Sequence, residues 1–150
     1  MNRRRMLGVL GSSAAGFTAL AAHGSAPAGQ ADHSHGGPLE ECAKACADCM
    51  RECESCFDHC ARLVATGKRS HLTTVQSCTD CAEVCGAAAK IVARHGPLSV
   101  TICESCARAC DFCAAECEKT PEDAHMQKCA KACRDCAKAC RDMLKHEQRK

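Results

Sequence analysis

Apolar positions along the chain recur at steps of three and four residues, and most of them are cysteines. The steps are 4, 3, 4, 3, 4 in the first block, 3, 4 in the second, 3, 4, 3, 4 in the third and 4, 3, 4 in the fourth. Alternating steps of this kind place side chains on one stripe of an α-helix, at the positions that a helical bundle turns inward. The cysteines are Cys42, Cys46, Cys49, Cys53, Cys56, Cys60, Cys78, Cys81, Cys85, Cys103, Cys106, Cys110, Cys113, Cys117, Cys129, Cys133, Cys136 and Cys140.

Turn-forming residues separate the four cysteine blocks. Gly67 follows the first block, Gly96 and Pro97 follow the second, and Pro121 lies between the third and the fourth. Glycine and proline commonly end helices. The expected helices lie near residues 39–65, 71–95, 98–118 and 122–146. Loops this short make successive helices antiparallel, so the predicted fold is all-α: an up-down-up-down four-helix bundle with a cysteine-lined core over residues 39–146.

The N-terminal segment has a different pattern. Residues 3–5 are arginines, residues 7–22 form an apolar run of small residues, and residues 26–28 read Ala-Pro-Ala. This order is typical of a signal peptide over residues 1–28, and the paired arginines indicate the twin-arginine type. A retained membrane anchor is less favoured because the run is short and weakly hydrophobic. We therefore expect an exported, periplasmic protein with no membrane in its mature form, and a flexible linker over residues 29–38.

The composition changes what such a core must contain. The chain has 18 Cys in 150 residues and no Trp or Tyr. So few large apolar residues would ordinarily predict disorder, but free cysteine behaves as a small buried hydrophobe. Thiols and alanine must therefore fill the interior. The net charge is only +2, and without a basic stripe or stacking aromatics nucleic acid is not expected as a partner.

The spacing of the thiols also favours metal binding. Side chains at i and i+4 have Cβ atoms about 5–6 Å apart, and a two-coordinate ion with bonds of about 2.3 Å needs sulfurs about 4.5 Å apart. A C-x-x-x-C pair can therefore hold one ion along a single helix, and cysteines at i+3 or on facing helices can share or bridge neighbouring ions. Eight such pairs occur: Cys42/Cys46, Cys49/Cys53, Cys56/Cys60, Cys81/Cys85, Cys106/Cys110, Cys113/Cys117, Cys129/Cys133 and Cys136/Cys140.

Charge distinguishes among the metals that thiolates select, which are copper(I), zinc and iron–sulfur clusters. Zinc with four thiolates leaves a charge of about −2 at each site, and buried uncompensated charge is strongly unfavourable. Copper(I) at about one ion per thiolate leaves the core nearly neutral. The predicted cargo is therefore multiple copper(I) ions per chain, although silver(I) fits the same chemistry.

Two other functions use the same cysteines. A disulfide-stapled exported module is an alternative because an even cysteine count in an exported protein favours disulfides, although such scaffolds are usually loop-rich. A copper chaperone or detoxification protein of lower capacity is the second alternative. No thiol is singled out by a companion base, so enzymatic activity is not expected.

The cysteine pattern resembles a known family. Heptad-spaced C-x-x-x-C pairs, as in CAKACRDCAKAC at residues 129–140, are similar to the bacterial copper storage proteins, with the likeness covering residues 39–146. The resemblance implies a four-helix bundle that holds many copper(I) ions and usually forms a homotetramer. For exported members with twin-arginine signals it also implies a copper-requiring enzyme as recipient.

Three further residues are candidate copper ligands. Continuing the heptad outward from the cysteines gives His71 on the second helix and Met126 on the fourth, at the end of the bundle that contains Cys60. His59 matches a position where the family places a histidine beside the last cysteine of helix one. We expect copper to load at this end, although His71 as a helix-start residue and Met126 as ordinary core are the alternatives. His125 is expected to be solvated.

Overall fold

The computed structural model describes residues 37–149, and within them the fold consists of four α-helices and one short 3-10 turn. The elements are α1 at Pro38–Ala65, the 3-10 turn at Arg69–His71, α2 at Leu72–Ala93, α3 at Ser99–Cys117 and α4 at Ala124–Glu147. The predicted all-α bundle is confirmed, and each helix end lies within about two residues of its predicted place. The predicted signal peptide and nearly all of the predicted linker lie outside the described residues.

The helices form a four-cornered bundle. Helix α1 packs against α2 and α4, and α3 packs against the same two helices, so α1 and α3 face each other across the core. Sulfur contacts run in the same order along α1 and α3 but in opposite order along α1 and α4: Cys42 meets Cys103 and Cys140, and Cys53 meets Cys113 and Cys129. The up-down-up-down topology therefore brings thiols from all four helices to one axis.

Gly67 and Gly96 follow the ends of α1 and α2, and the two glycines have different roles. Gly67 has φ 94°, and the N–H groups of Gly67 and Lys68 donate to carbonyls of the last turn of α1. After α2 the left-handed residue is His95, with φ 53°, rather than the neighbouring glycine. Gly96 is instead needed for close approach, since a Cβ there would lie 3.2 Å from the carbonyl oxygen of Ile91. The tight turn into α3 thus depends on a missing side chain.

Helix α4 begins at a side-chain cap. Oδ1 of Asp123 accepts the backbone N–H groups of His125 and Met126 at 2.9 and 3.1 Å, which satisfies two amides that the helix leaves unpaired. The Gln127 amide nitrogen donates to the carbonyls of Cys117 and Thr120. These bonds join the end of α3 to the start of α4.

The core contains almost nothing but sulfur and small side chains. Every cysteine is at most 1% exposed, and the other fully buried large side chains are Val92, Met126 and Met143. Larger apolar residues such as Phe112 and Leu98 are more than half exposed. Among residues 37–149, none of the helices has the length and apolarity needed to cross a membrane.

Candidate metal site

The thiols of the core touch one another along the bundle axis. Neighbouring sulfurs are 3.4 to 4.0 Å apart, the shortest pair being Cys85 and Cys110. All of the cysteines lie in the described part of the chain, and every one of them is a free thiol. Sulfurs joined by a disulfide lie about 2.0 Å apart, so these contacts are between separate thiols.

Most of the sulfurs gather into overlapping groups of four. In each group all four sulfur atoms lie within 4.8 Å of one another. Neighbouring groups share one or two thiols, so together they form a continuous series along the core. Five of the groups are Cys46/Cys106/Cys136/Cys140, Cys49/Cys85/Cys110/Cys136, Cys49/Cys53/Cys81/Cys133, Cys53/Cys113/Cys129/Cys133 and Cys56/Cys78/Cys117/Cys129.

The sulfur distances are compatible with thiolates shared between helices as well as with pairs along one helix, both of which the sequence predicts. Four C-x-x-x-C pairs have sulfurs 3.8 to 4.0 Å apart. A two-coordinate ion with bonds of about 2.3 Å needs about 4.5 Å, whereas a trigonal ion needs about 4.0 Å. The spacing of these pairs therefore lies within about 0.7 Å of what either geometry needs.

The core carries no fixed positive charge to balance thiolates. The buried polar side chains among residues 37–149 are those of His71, Thr74, Ser77 and Ser99. Within the sulfur network the pKa of Cys129 is lowered to about 6: contact with Cys113 raises it, but hydrogen bonds from neighbouring thiols, first that of Cys117, outweigh this effect. A monovalent cation can neutralise thiolates one for one, whereas a divalent cation bound by four thiolates leaves two negative charges uncompensated.

One end of the bundle combines thiols with other metal-binding side chains. Cys60, the last cysteine of α1, has its sulfur 4.0 Å from that of Cys56. The pKa of Cys60 is raised by its contact with Cys56, by burial and by the nearby charges of Cys56 and Asp123. Met126 is fully buried and His71 is 9% exposed. His71 also lines a surface cleft of about 410 Å³, which we call the α4-start cleft, together with Asp123 and His125.

His59 belongs to a hydrogen-bonded cluster beside the α4-start cleft. Its Nε2 lies 2.7 Å from Oδ2 of Asp123, and its ring stacks on that of His125 with centroids 4.6 Å apart. Nε2 of His125 in turn lies 3.3 Å from Oγ of Ser55. The expectation that His125 is solvated is therefore wrong: the residue is half-buried, and its ring stacks on that of His59.

Asp123 is the residue of this cluster that the sequence analysis missed. Burial raises the pKa of Asp123, but the hydrogen bonds from His59 and from the first amides of α4 outweigh it and hold the pKa below its usual range. A helix-capping signal was available, because Asp directly before a helical stretch is a typical N-cap. The contact of Asp123 with His59 could not be predicted from the sequence, since the two residues are 64 positions apart.

The opposite end of the bundle is closed by apolar side chains. Val92 and Met143 are fully buried there, and Leu39 is half-buried against the same core. His146 lies on the surface near this end and contacts Glu147 at 3.3 Å through its Nδ1. The two ends therefore differ: each has a buried methionine near core thiols, but the stacked and hydrogen-bonded cluster of His59, Asp123 and His125 lies at the end with the α4-start cleft.

Comparison with known proteins decides the family. The sequence model described as "Csp: Copper storage protein" matches residues 36–145, well over half of the chain. The chain belongs to the copper storage protein family. The prediction of copper(I) storage through a cysteine-rich four-helix bundle is thereby confirmed at the level of the family.

Relatives of known structure share the fold. The chain is 36% identical to the Cu(I)-bound copper storage protein BsCsp3, with a TM-score of 0.66 over 72% of this chain and 99% of that one. It is 28% identical to Ccsp of Streptomyces lividans loaded with 10 copper equivalents, with a TM-score of 0.66 over 72% and 84% of the two chains. It is also 39% identical to the cysteine-rich protein YhjQ of Bacillus subtilis (strain 168), over 62% of this chain and 83% of YhjQ.

The comparisons correct the predicted location. We expected an exported, periplasmic protein from the pattern of residues 1–28. Ccsp of Streptomyces lividans, which matches the bundle, is described as a cytosolic copper storage protein. The prediction of export is therefore wrong. It rested on a short apolar segment outside the described residues, whereas the bundle itself is shared with a cytosolic protein.

Proposed function

We propose that this chain stores copper(I) on the shared thiolates of its core and loads it from the end at the α4-start cleft. The observation that carries the proposal is the continuous series of four-thiol groups along the axis. Such a series lets each thiolate serve more than one ion. It therefore supports many bound ions per chain rather than one or two isolated sites.

The proposed ligand set has two parts. The eighteen core cysteines hold most of the copper, and His59, Met126 and His71 assist at the loading end. Thioether and imidazole groups are further ligands that copper accepts beside thiolates. Support comes from the burial of Met126, from the position of His71 in the α4-start cleft and from the place of His59 directly before Cys60.

The expected capacity is ten or more copper ions per chain. Ions that share thiolates in a nearly neutral core approach one ion per thiolate. Ccsp of Streptomyces lividans has been loaded with 10 copper equivalents, which supports a number of this order here. A copper chaperone carries about one ion, so capacity separates storage from the chaperone alternative.

The proposed role involves no catalysis. The thiols are all buried and equivalent in kind, and none of those in the described part of the chain is exposed to a substrate. A nucleophilic cysteine needs an accessible and individually activated thiolate, which this core does not offer. The chain therefore holds copper rather than transforming a substrate.

We also propose that the chain forms a homotetramer. The support is the resemblance to the copper storage protein family, which usually forms homotetramers; on this chain Leu98, Val100 and Phe112 are apolar side chains left 60%, 43% and 58% exposed. Sedimentation velocity on the copper-free and loaded protein tests this proposal. A species of four chains is the expected result, and a monomer at micromolar concentration contradicts it.

The storage proposal is tested by competition for copper. The reduced protein is titrated anaerobically with copper(I) in the presence of a coloured chelator, and a second titration uses zinc. Ten or more ions of copper withheld from the chelator, with much weaker retention of zinc, is the expected result. Saturation at one to four ions contradicts storage.

A further inference from the structure

The Asp123 carboxylate contacts two different structures at once. Oδ1 accepts the first amides of α4, from His125 and Met126, and Oδ2 lies 2.7 Å from Nε2 of His59. An ionised carboxylate has no proton to donate, so the hydrogen in the second contact must come from the His59 ring. Asp123 therefore fixes the protonated nitrogen of His59 as Nε2.

This choice of nitrogen decides what the imidazole can bind. In a neutral ring with its hydrogen on Nε2, the lone pair available to a metal is on Nδ1. Among the described residues, no hydrogen bond or ion pair reaches Nδ1 of His59. The ring is held at its edge by Asp123 and on its face by the stacked ring of His125. The His59 side chain is 31% exposed, so solvent can reach it.

We propose that Asp123 is a positioning residue for copper loading, which sets the tautomer and orientation of His59 so that Nδ1 is ready to accept copper(I). The proposal rests on the proposed function, in which His59 is a loading ligand. Histidine ligands of metals commonly donate their other ring N–H to a carboxylate, and loss of that partner typically lowers affinity or activity about 10- to 100-fold. Asp123 acts here through His59 and does not itself touch the cargo.

The substitution Asp123→Asn separates this role from helix capping. Asparagine caps helices as well as aspartate does, so its amide oxygen replaces Oδ1 at the start of α4. Its NH₂ group then faces His59 and can only donate. Nε2 of His59 must become the acceptor, which moves the ring hydrogen to Nδ1 and blocks the nitrogen that copper needs. The matched control is Asp135→Asn, because Asp135 lies on the exposed face of α4, where it forms an ion pair with Lys131 and contacts neither His59 nor the helix start.

The first measurement is the initial rate of copper(I) transfer from a chelator complex at one equivalent of copper. We expect Asp123→Asn to slow uptake about 10-fold or more, with an unfolding temperature close to that of the wild type, while Asp135→Asn loads normally. The second is long-range ¹H–¹⁵N NMR of the copper-free protein, which should show the His59 hydrogen on Nε2 in the wild type and on Nδ1 in Asp123→Asn. If this variant does not fold, Asp123→Ser, which keeps a cap but cannot reach His59, should also load more slowly than the wild type.

The outcomes distinguish the two proposals. Normal uptake by Asp123→Asn, or an unchanged tautomer, overturns the positioning role. Normal uptake by His59→Ala overturns His59 as a loading ligand and the positioning role with it, without affecting storage in the core. Storage itself is judged by the number of ions bound at saturation, and a value of one to four in the wild type overturns it whatever the rates.

Discussion

Removing two shared thiols from the middle of the core should lower both copper capacity and stability by predictable amounts. Cys53 and Cys133 have sulfurs 3.6 Å apart and belong together to two of the four-thiol groups. In the double variant Cys53→Ala/Cys133→Ala, each of these groups keeps only two of its four sulfurs. At about one ion per thiolate, we expect the loss of at least two copper ions per chain.

The cost to the copper-free protein follows from the sulfur volume. Each substitution removes one buried sulfur, which loses about 1 kcal/mol of transfer energy and leaves a void of about 20 Å³ that costs about 0.5 kcal/mol more. The two sites adjoin each other, so their effects are not strictly additive, and a total of about 2–3 kcal/mol is expected. For a domain of this size that corresponds to a fall in unfolding temperature of about 8–13 °C.

The assay combines a thermal melt of the copper-free protein, followed by circular dichroism, with the anaerobic copper titration. The matched control is Ser105→Ala, whose exposed hydroxyl donates only to the carbonyl of Thr101 and should change neither quantity. If the double variant remains folded and still binds as many ions as the wild type, the core thiolates are not the storage ligands.

Three further predictions concern the glycines and the α4 cap. Gly86→Ala should raise the unfolding temperature by a few degrees, because alanine stabilises a helix by about 0.5–1 kcal/mol relative to glycine. The atoms that the new Cβ would approach, at 3.1 Å or more, belong to the flexible side chain of Met50. A lower unfolding temperature in a thermal melt would show that Met50 cannot shift. Gly96→Ala should destabilise by about 1 kcal/mol or more, since the new Cβ meets the backbone of Ile91, and chemical denaturation that leaves the midpoint unchanged contradicts this. Asp123→Ala should lower the free energy of unfolding by about 1 kcal/mol at pH 7. Because the folded pKa of Asp123 is lowered, its contribution to stability is complete above its unfolded pKa of about 3.9 and is lost as pH falls through the folded value. A stability difference from wild type that persists undiminished at pH 2 contradicts this prediction.

The bundle could be predicted because one residue type marks its inner face. Cysteines in phase along four segments identify the buried stripe of each helix, and the short turns determine the topology. The ends of the turns were less predictable: His95 adopts the left-handed conformation beside a glycine that was the natural candidate. There Gly96 lies close to the backbone of Ile91, and that contact exists only in the folded chain.

The site was predictable in kind but not in arrangement. Every cysteine was identified as a core thiol, and sharing between facing helices was expected, but the sequence did not show which thiols approach one another to 3.4 to 4.0 Å. Such contacts depend on the relative height of the helices, which sequence spacing does not contain. The Asp123–His59 pair escaped prediction for the same reason, because it joins the start of α4 to the end of α1.

The most direct test of the account is the number of copper(I) ions that the fully reduced wild-type chain withholds from a competing chelator under anaerobic conditions. The continuous sulfur network predicts ten or more ions per chain, with zinc retained far more weakly because divalent ions leave buried negative charge. Saturation at one to four copper ions, or tighter retention of zinc than of copper, would contradict storage on shared core thiolates.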